Sequence, residues 1–357
     1  MSGSGWGRNH KIERLPAQRA IRKIGSSAGP EYPLIRARDG FEPNRVSPIV
    51  SRQSPAPAKI NLFLAVTGRR ADGFHDLVSV VAPLVWGDTL EVEPSPAKAA
   101  EDAPRAAGTA EGPFELECSD PAVPRDGGNL VLKAARAFAE GTGWTGRARF
   151  ILTKRIPVSS GLGGGSSDAA TALLALNRLS GGLLDASGMA AVAARVGSDC
   201  PLFLHAAPVA MRGRGERLEP LPPAAASRLR GRRVLVFKPG FGIATSWAYG
   251  RLAAAAPGSY VPASEAENRL RAWIWDSQAP AESLLFNSME PAVFGKFAAL
   301  PALLGDLRRR YGLAPMMSGS GSACFALLGE NTDTGPVVCA IRDAWGPDAF
   351  LVDTRIA

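Results

Sequence analysis

Residues 157–170 read PVSSGLGGGSSDAA, a run in which four glycines are followed by two serines. Before it, Ala148, Phe150 and Leu152 alternate with polar or mixed neighbours, as in a half-buried strand. After it, an alanine- and leucine-rich run typical of a helix continues to Leu179. Glycines lack a Cβ and let backbone N–H groups face a ligand, and a helix N-terminus adds the positive end of its dipole. The order strand, loop, helix therefore predicts a loop that binds a polyphosphate.

This glycine loop (residues 157–165) matches neither of two common phosphate-binding patterns. No Gly-Lys-Ser/Thr follows the glycines, which excludes a Walker A loop. The dinucleotide-binding fingerprint opens a βαβ unit and needs an acidic residue about 20 residues later. Here the loop lies in mid-chain, and Asp185 is predicted to be the N-cap of the next helix. A flexible surface loop would also explain the glycines, so the motif needs support from elsewhere in the chain.

Four further segments supply that support, and with the glycine loop they resemble the GHMP small-molecule kinases. Residues 57–64 read PAKINLFL, and residues 70–75 read RADGFH. Residues 197–201 read GSDCP, and residues 316–324 read MMSGSGSAC. The KINL and DGFH parts are similar to the branch of the family whose acceptor carries a cytidine diphosphate group.

The resemblance covers roughly residues 54–355 and implies an α+β GHMP kinase fold. An N-terminal, ATP-binding and catalytic domain like ribosomal protein S5 domain 2 is expected over residues 53–215. A ferredoxin-like C-terminal domain is expected over residues 216–357, with the active site between the two domains. Residues 1–52 are predicted to be a disordered extension or to precede the working start of the protein, and residues 94–113 a surface insertion.

Composition fits an ordinary globular protein. The 357 residues are 46% hydrophobic and 21% charged. No apolar run reaches the length of about 18 residues that a membrane span needs. The four cysteines are widely spaced without a Cys-x-x-Cys, and only three histidines occur, which argues against structural zinc. A reduced cytoplasmic protein is the expectation.

The net charge of +8 is concentrated in one segment. Residues 1–52 carry +6 of it, so the rest of the chain is close to neutral. A basic tail without a recognisable binding motif does not predict a nucleic-acid-binding body.

Hydrophobic periodicity predicts the main elements. Helix 129–140 is expected to end at Gly141, and in strand 58–66 the residues Ile60, Leu62, Leu64 and Val66 are expected to share one face. The other predicted strands are 77–85, 89–92, 114–118, 234–238 and 323–328, and the other predicted helices are 166–179, 185–196 and pieces of 282–310.

The resemblance makes Asp199, in the GSDCP segment, the general base. A kinase needs a carboxylate near the acceptor hydroxyl to orient it and to take its proton. Lys59 is the predicted partner, which keeps Asp199 ionised and polarises the hydroxyl. From the residues alone, a loop aspartate in an Asx-turn and a solvated lysine on a strand face remain open.

The resemblance also implies that ATP and Mg²⁺ bind at the glycine loop. Backbone N–H groups supply most of the binding, and either Ser166 or Ser167 approaches the Mg²⁺, although helix N-capping explains each serine as well. No Mg²⁺ ligand is assigned. Asp168 is expected to face away from the phosphates, which its charge would repel, and Asn129 to contact adenine or to cap a helix. The residues predicted to contact the nucleotide are Pro157, Gly161, Leu162, Gly163, Gly164, Gly165, Ser166, Ser167 and Asn129.

Five residues are predicted to contact the acceptor. His75 resembles a cytosine-contacting histidine, since a neutral imidazole offers one donor and one acceptor to a base edge. Phe74 supplies a ring for stacking. Lys154 resembles a residue of the cytidine site, although a surface lysine at a strand end is the alternative. Asn61 and Thr245 are expected to reach the substrate.

Residues 318–321 read SGSG and precede an apolar strand. In the family such a loop packs over the site, although turn chemistry alone would explain the composition.

The resemblance therefore implies an ATP-dependent kinase that phosphorylates the 2-hydroxyl of a cytidine diphosphate-linked methylerythritol, in the non-mevalonate route to isoprenoid precursors. The expected protein acts on this small molecule as a monomer or homodimer, without nucleic acid or membrane. The nearest alternative is a GHMP kinase for mevalonate, its phosphate or homoserine. A non-catalytic nucleotide-binding module and a nucleic-acid binder that uses the basic tail are further alternatives.

Overall fold

The computed structural model describes residues 53–95 and 112–357, so the predicted extension 1–52 and most of the predicted insertion 94–113 lie outside the described residues. The strands are β1 Gln53–Arg69, β2 His75–Pro94, β3 Phe114–Cys118, β4 Ala148–Thr153, β5 Val209–Gly213, β6 Arg217–Pro220, β7 Arg233–Lys238, β8 Phe286–Asn287, β9 Met316–Met317, β10 Cys324–Leu328 and β11 Phe350–Arg355. The α-helices are α1 Leu130–Thr142, α2 Gly164–Leu179, α3 Ala186–Val196, α4 Pro223–Ser227, α5 Thr245–Ala254, α6 Ala263–Trp275, α7 Glu290–Phe294, α8 Ala299–Tyr311 and α9 Gly335–Trp345. Short 3₁₀ helices cover Pro201–Leu204 and Ala281–Leu284.

The first sheet is built around the long strand β2. One edge of β2 pairs with β1 along most of its length, and the other edge pairs with β5 in its first half and β4 in its second half. The order is β3-β4-β2-β1-β8, with β5 and β6 branching from β2. The predicted domain boundary at residues 215–216 falls in the β5–β6 hairpin. A second sheet has the antiparallel order β11-β7-β10-β9.

Helices α1, α2 and α3 cover one face of β2, β3 and β4. Their apolar stripes meet the strands in a core that contains Leu90, Phe138, Phe150 and Leu173, each fully buried. This packing fixes the start of α2, and therefore the glycine loop, against the sheet. Among the helices of the two described ranges, none combines the length and the apolarity needed to cross a bilayer.

Strand β1 departs from the predicted alternation at a β-bulge. Asn61 pairs with Val81 and Phe63 with Val80, so two residues of β1 span one step of β2. Because such a bulge reverses which side chains face each side, Phe63 joins the core of Ile60 and Leu62. Leu64 and Val66 pack in a different core. The prediction that these four even-numbered side chains share a face therefore holds for Ile60 and Leu62 and is wrong for Leu64 and Val66.

Two other boundaries differ from the predictions. The strands expected at 77–85 and 89–92 form the single strand β2, because β1 pairs with both parts across Gly87. Helix α1 continues through Gly141 to Thr142, and Gly143 adopts the left-handed cap with φ 71°. The N-cap predicted at Asp185 is confirmed, since its side chain accepts a hydrogen bond from the Gly188 N–H.

Candidate functional site

A cavity of about 1180 Å³ is lined by β1, the glycine loop, the start of α5 and residues 318–321. A single-ligand pocket typically measures about 300–1,000 Å³, so this cavity has room for a nucleotide and an acceptor. The predicted site residues on its wall are Lys59, Asn61, Phe74, His75, Asn129, Lys154, Pro157, Gly161, Gly163, Gly164, Gly165, Ser166, Asp199 and Thr245. Leu162 and Ser167, the other two predicted residues, are fully buried and do not line it.

The glycine loop leads directly into the N-terminus of α2. Gly163 is the N-cap and has φ 75° in the left-handed region, where a side chain is strained. The first intrahelical bond is donated by the Ser167 N–H to the Gly163 carbonyl, which leaves the preceding N–H groups without helical partners. The Lys59 N–H donates to the Leu162 carbonyl at 2.9 Å and ties the loop to β1. The loop therefore presents free N–H groups and a helix dipole to the cavity, as an anion site requires.

The structure distinguishes the two serines after the glycines. Ser166 lines the cavity, whereas the Ser167 hydroxyl is buried and has no hydrogen-bond partner among the described residues. Neither serine is the N-cap, because Gly163 occupies that position. Ser166 is therefore the hydroxyl of the pair that can meet a ligand in the cavity.

Residues 318–321 form a second loop (the 318–321 loop) that packs directly on the glycine loop. A Cβ at Gly161 would lie 2.3 Å from the Ser318 carbonyl oxygen, so the two backbones meet where only glycine fits. The Ser318 hydroxyl donates to the Gly161 carbonyl at 3.3 Å. The Asn287 amide donates to the carbonyls of Met317 at 2.8 Å and Gly319 at 2.9 Å. Asn287 was not predicted, and its distance along the chain from the loop leaves no local sequence signal for it.

Lys59 is held inside the site by Asn61. Its Nζ donates to Asn61 Oδ1 at 2.6 Å, and the Asn61 amide donates to the Ser79 hydroxyl at 3.1 Å. Burial lowers the pKa of Lys59, and the negative charge of Asp199 opposes that shift. Within the described residues, Lys59 and Asp199 form no ion pair shorter than 4 Å. Asn61 thus orients Lys59 on the cavity wall that also carries Asp199.

An aromatic pocket surrounds His75. The Tyr249 ring lies 4.8 Å from the His75 ring between centroids, and the Tyr260 ring lies 5.9 Å away. Burial and the charge of Arg69 lower the pKa of His75, which keeps the imidazole neutral at neutral pH. Its Nε2 is buried without a hydrogen-bond partner in the described part of the chain. Phe74, about half exposed, also lines the cavity.

Tyr249 is a site residue that the sequence analysis missed. It follows Thr245 by four residues on α5, and residues at this spacing share a helix face. That spacing could have identified Tyr249 once Thr245 was selected. The Thr245 hydroxyl itself lies 3.0 Å from the Ser320 hydroxyl, which links α5 to the 318–321 loop.

Lys154 is engaged by two buried carboxylates. Its Nζ forms an ion pair with Asp88 and another with Asp168 Oδ2 at 2.8 Å. Asp168 therefore does not face away from the site as expected, since it lines the cavity beside this lysine. Burial raises the pKa of Asp168 to about 7, with Lys154 opposing the shift and Asp88 adding to it. Asp88 was not predicted, because it lies on β2, far along the chain from its partner.

Asn129 caps helix α1. Its Oδ1 accepts from the Val131 N–H at 2.8 Å, and its amide donates to the Pro124 carbonyl at 2.7 Å. Of the two roles predicted for Asn129, helix capping is therefore present. The contact with adenine stays a prediction, supported by the position of Asn129 on the cavity wall.

Two carboxylates line the cavity wall, and one of them, Asp168, is already paired with Lys154. Residues 53–95 and 112–357 contain no group of three or more His, Cys, Asp or Glu side chains suited to hold a metal ion. The Ser166 hydroxyl and the Asp199 carboxylate do line the cavity. Mg²⁺ commonly binds through one or two protein oxygens together with substrate phosphates and water. This small donor set fits a Mg²⁺ bound mainly by a nucleotide.

Comparisons with known proteins identify the family of the chain. The model of the GHMP kinases N terminal domain matches residues 129–207, which contain the glycine loop and Asp199. A 4-diphosphocytidyl-2-C-methyl-D-erythritol kinase from Paramagnetospirillum magneticum is 40% identical over 300 residues, 81% of this chain and 94% of the relative. One from Solibacter usitatus is 38% identical over 276 residues, 76% of this chain and 80% of the relative.

A solved structure of the same kind of enzyme is similar to this chain in both sequence and fold. The crystal structure of a 4-(cytidine 5′-diphospho)-2C-methyl-D-erythritol kinase has 35% sequence identity and a TM-score of 0.63, and covers 86% of this chain and 100% of that one. Identity at this level over nearly the whole length of these relatives reaches beyond the shared fold. The chain belongs to the 4-diphosphocytidyl-2-C-methyl-D-erythritol kinases, a family within the GHMP kinases.

Proposed function

We propose that this protein transfers the γ-phosphate of ATP to the 2-hydroxyl of 4-diphosphocytidyl-2-C-methyl-D-erythritol, giving the 2-phosphate and ADP. The observation that carries the proposal is a single cavity whose wall holds the glycine loop, Lys59, Asp199 and the aromatic pocket around His75. A phosphate site and a base site on one cavity let two substrates bind side by side. Binding in this way converts a bimolecular transfer into an effectively unimolecular one.

Asp199 acts as the general base. The O–H bond of the acceptor breaks as its oxygen forms a bond to the γ-phosphorus, and the proton passes to the Asp199 carboxylate. The bond between the γ-phosphorus and the bridging oxygen breaks, and ADP leaves with that oxygen. General base catalysis of this kind contributes about 10²–10⁴-fold.

Lys59 and the glycine loop stabilise negative charge. The Lys59 ammonium, oriented by Asn61, lies on the same cavity wall as Asp199 and the glycine loop, where it can stabilise negative charge on the transferred phosphoryl group. The free N–H groups of residues 163–166 bind the phosphate oxygens. Mg²⁺ would supply further charge neutralisation when bound with ATP, and Ser166 is the residue that would hold it, together with phosphate oxygens and water.

The pocket around His75 selects the cytosine base. A neutral His75 offers one donor and one acceptor to the base edge, and Phe74 and Tyr249 provide apolar rings for stacking. Thr245 remains a predicted contact of the acceptor, whereas the Lys154 ammonium is paired with Asp88 and Asp168. Mevalonate and homoserine have no base, so this pocket favours the cytidyl acceptor over the substrates of other GHMP kinases.

The proposal extends to the cellular setting. The protein acts in the cytoplasm, in the non-mevalonate route to isoprenoid precursors, as a monomer or homodimer and without nucleic acid.

The proposal also divides the chain into two domains. Residues 53–215 form the N-terminal, ATP-binding domain and residues 216–357 form the C-terminal domain. In support of this division, β7, β9, β10 and β11 form a sheet of their own.

The test is ADP release from Mg-ATP by the purified protein, with the cytidyl substrate, mevalonate and homoserine compared as acceptors. Turnover is expected only with the cytidyl substrate. Asp199→Asn should lose about 10²–10⁴-fold in kcat and still bind ATP. The partly exposed Asp306, on α8 and not among the residues that line the cavity, provides the matched control Asp306→Asn, which should keep its turnover. Turnover with another acceptor, or full activity of Asp199→Asn, would contradict the proposal.

A further inference from the structure

Three charged side chains outside the predicted catalytic pair form one buried cluster, which we call the loop-anchor cluster: Asp88, Lys154 and Asp168. The exposed fractions of their side chains are 0%, 7% and 4%. Lys154 Nζ donates to both carboxylates, at 2.8 Å to Asp168 Oδ2. Asp88 belongs to β2, Lys154 follows β4, and Asp168 lies in α2. The cluster therefore joins the sheet to the chain on both sides of the glycine loop.

The carboxylate of Asp88 also holds the backbone that enters the loop. Its Oδ1 accepts from the N–H groups of Arg155 and Ile156, at 2.8 Å for Ile156. On the other side, a Cβ at Gly164 would lie 3.2 Å from Lys154 Nζ, so the ammonium packs against the loop itself. Asp88 thus contacts the residues immediately before the glycine loop, and Lys154 packs against Gly164 within it.

The charge of the loop-anchor cluster is not balanced. When all three groups are ionised, two carboxylates share one ammonium, and Asp168 Oδ1 is buried with no partner among the described residues. Burying such groups costs free energy that apolar side chains of similar size would not. The cluster therefore contributes little to stability by itself, which favours a role in fixing the geometry of the glycine loop.

We propose that Asp88, Lys154 and Asp168 position the glycine loop, holding its N–H groups in the arrangement that binds the phosphates of ATP. Lys154 is then a positioning residue that acts through the loop, in place of its predicted contact with the acceptor. This inference rests on the proposed kinase function. It adds Asp88, a residue of a distant strand, to the groups on which nucleotide binding depends.

The decisive variant is Asp88→Asn. It keeps an oxygen for the two backbone N–H groups but removes the charge that holds Lys154. The Kd of the non-hydrolysable analogue AMP-PNP with Mg²⁺ should rise by about 10- to 100-fold, because loop N–H groups that move out of place lose charge-assisted hydrogen bonds to the phosphates. The Kd of the cytidyl substrate should stay within about twofold. Glu117→Gln, which removes an exposed ion pair with Arg149 on the same sheet, is the control and should change neither Kd.

The outcomes separate positioning from a structural role. A lower Tm with an unchanged nucleotide Kd and kcat would overturn the proposal, as would a weaker Kd for the cytidyl substrate alone. If Asp88→Asn does not fold, Lys154→Gln carries the same test. Absence of ADP release by the wild-type protein would refute the kinase function instead, while the nucleotide Kd would still test the cluster.

Discussion

Replacing Gly161 with alanine tests whether the contact between the two loops sets the geometry of the phosphate site. Gly161 has φ 79°, and alanine pays about 1–2 kcal/mol in this left-handed region. Its Cβ would also lie 2.3 Å from the Ser318 carbonyl oxygen, 3.1 Å from the Gly321 carbonyl oxygen and 3.2 Å from the Gly321 nitrogen. These are all backbone atoms, so no side-chain rotation can relieve the clash, and one loop must move by about 1 Å to reach ordinary carbon contact distances.

A shift of this size should be visible in both stability and turnover. We expect Gly161→Ala to lose more than the 1–2 kcal/mol of the backbone term and about 10²-fold in kcat/KM, because a displacement of about 1 Å misaligns the bound phosphates. Urea unfolding measures the first quantity, and ADP release with the cytidyl substrate measures the second.

Gly143→Ala is the matched control. Gly143 has φ 71°, but a Cβ there has no atom within 4 Å, and the residue lies at the end of α1 remote from Asn129 and the cavity. It should lose about 1–2 kcal/mol and keep its kcat/KM. Equal losses of stability in the two variants, with full turnover in Gly161→Ala, would refute the argument that the loops are in tight contact.

Three further changes probe other parts of the structure. Burial raises the pKa of Asp168 to about 7 in the folded state, against about 4 in the unfolded state, so ionisation of this group lowers the stability of the fold as the pH rises between these values. Asp168→Asn cannot ionise, and in urea unfolding it should gain stability relative to wild type between about pH 5 and about pH 8. Asn287→Asp puts a carboxylate against two carbonyls that hold the 318–321 loop, and it should cost about 1–3 kcal/mol in unfolding free energy and reduce kcat. Phe138 of α1 is fully buried, and Phe138→Ala should lower the free energy of unfolding by about 3–5 kcal/mol while leaving kcat unchanged at temperatures where the variant is folded. Trp275 is exposed, and Trp275→Ala should change the free energy of unfolding by no more than about 0.5 kcal/mol.

Local sequence signals predicted the elements that depend on neighbouring residues. The strand at residues 114–118, the helix after the glycine loop and the cap at Asp185 all follow from periodicity and capping preferences, and each is present. The errors occur where a neighbouring strand decides the outcome. The bulge after Asn61 and the continuity of β2 depend on the register between two strands, which no local pattern contains.

The residues of the site also separate into those that the sequence predicted and those that only the structure revealed. The glycine loop was predicted from its own residues, whereas Lys59, Asp199 and His75 were selected by the resemblance to the GHMP kinases, and the structure places all of them on one cavity wall. The motifs did not choose between Ser166 and Ser167.

The sequence by itself therefore determined the family, the loop and the candidate catalytic groups. Only the tertiary structure decided the distant partners: Ser79 for Asn61, two carboxylates for Lys154, Tyr249 for His75 and Asn287 for the 318–321 loop. The physical reason is the distance along the chain over which each interaction acts. Backbone preferences and capping act over a few residues, whereas the pairing of buried polar groups depends on which distant segments pack together, and every such group must find its partner there.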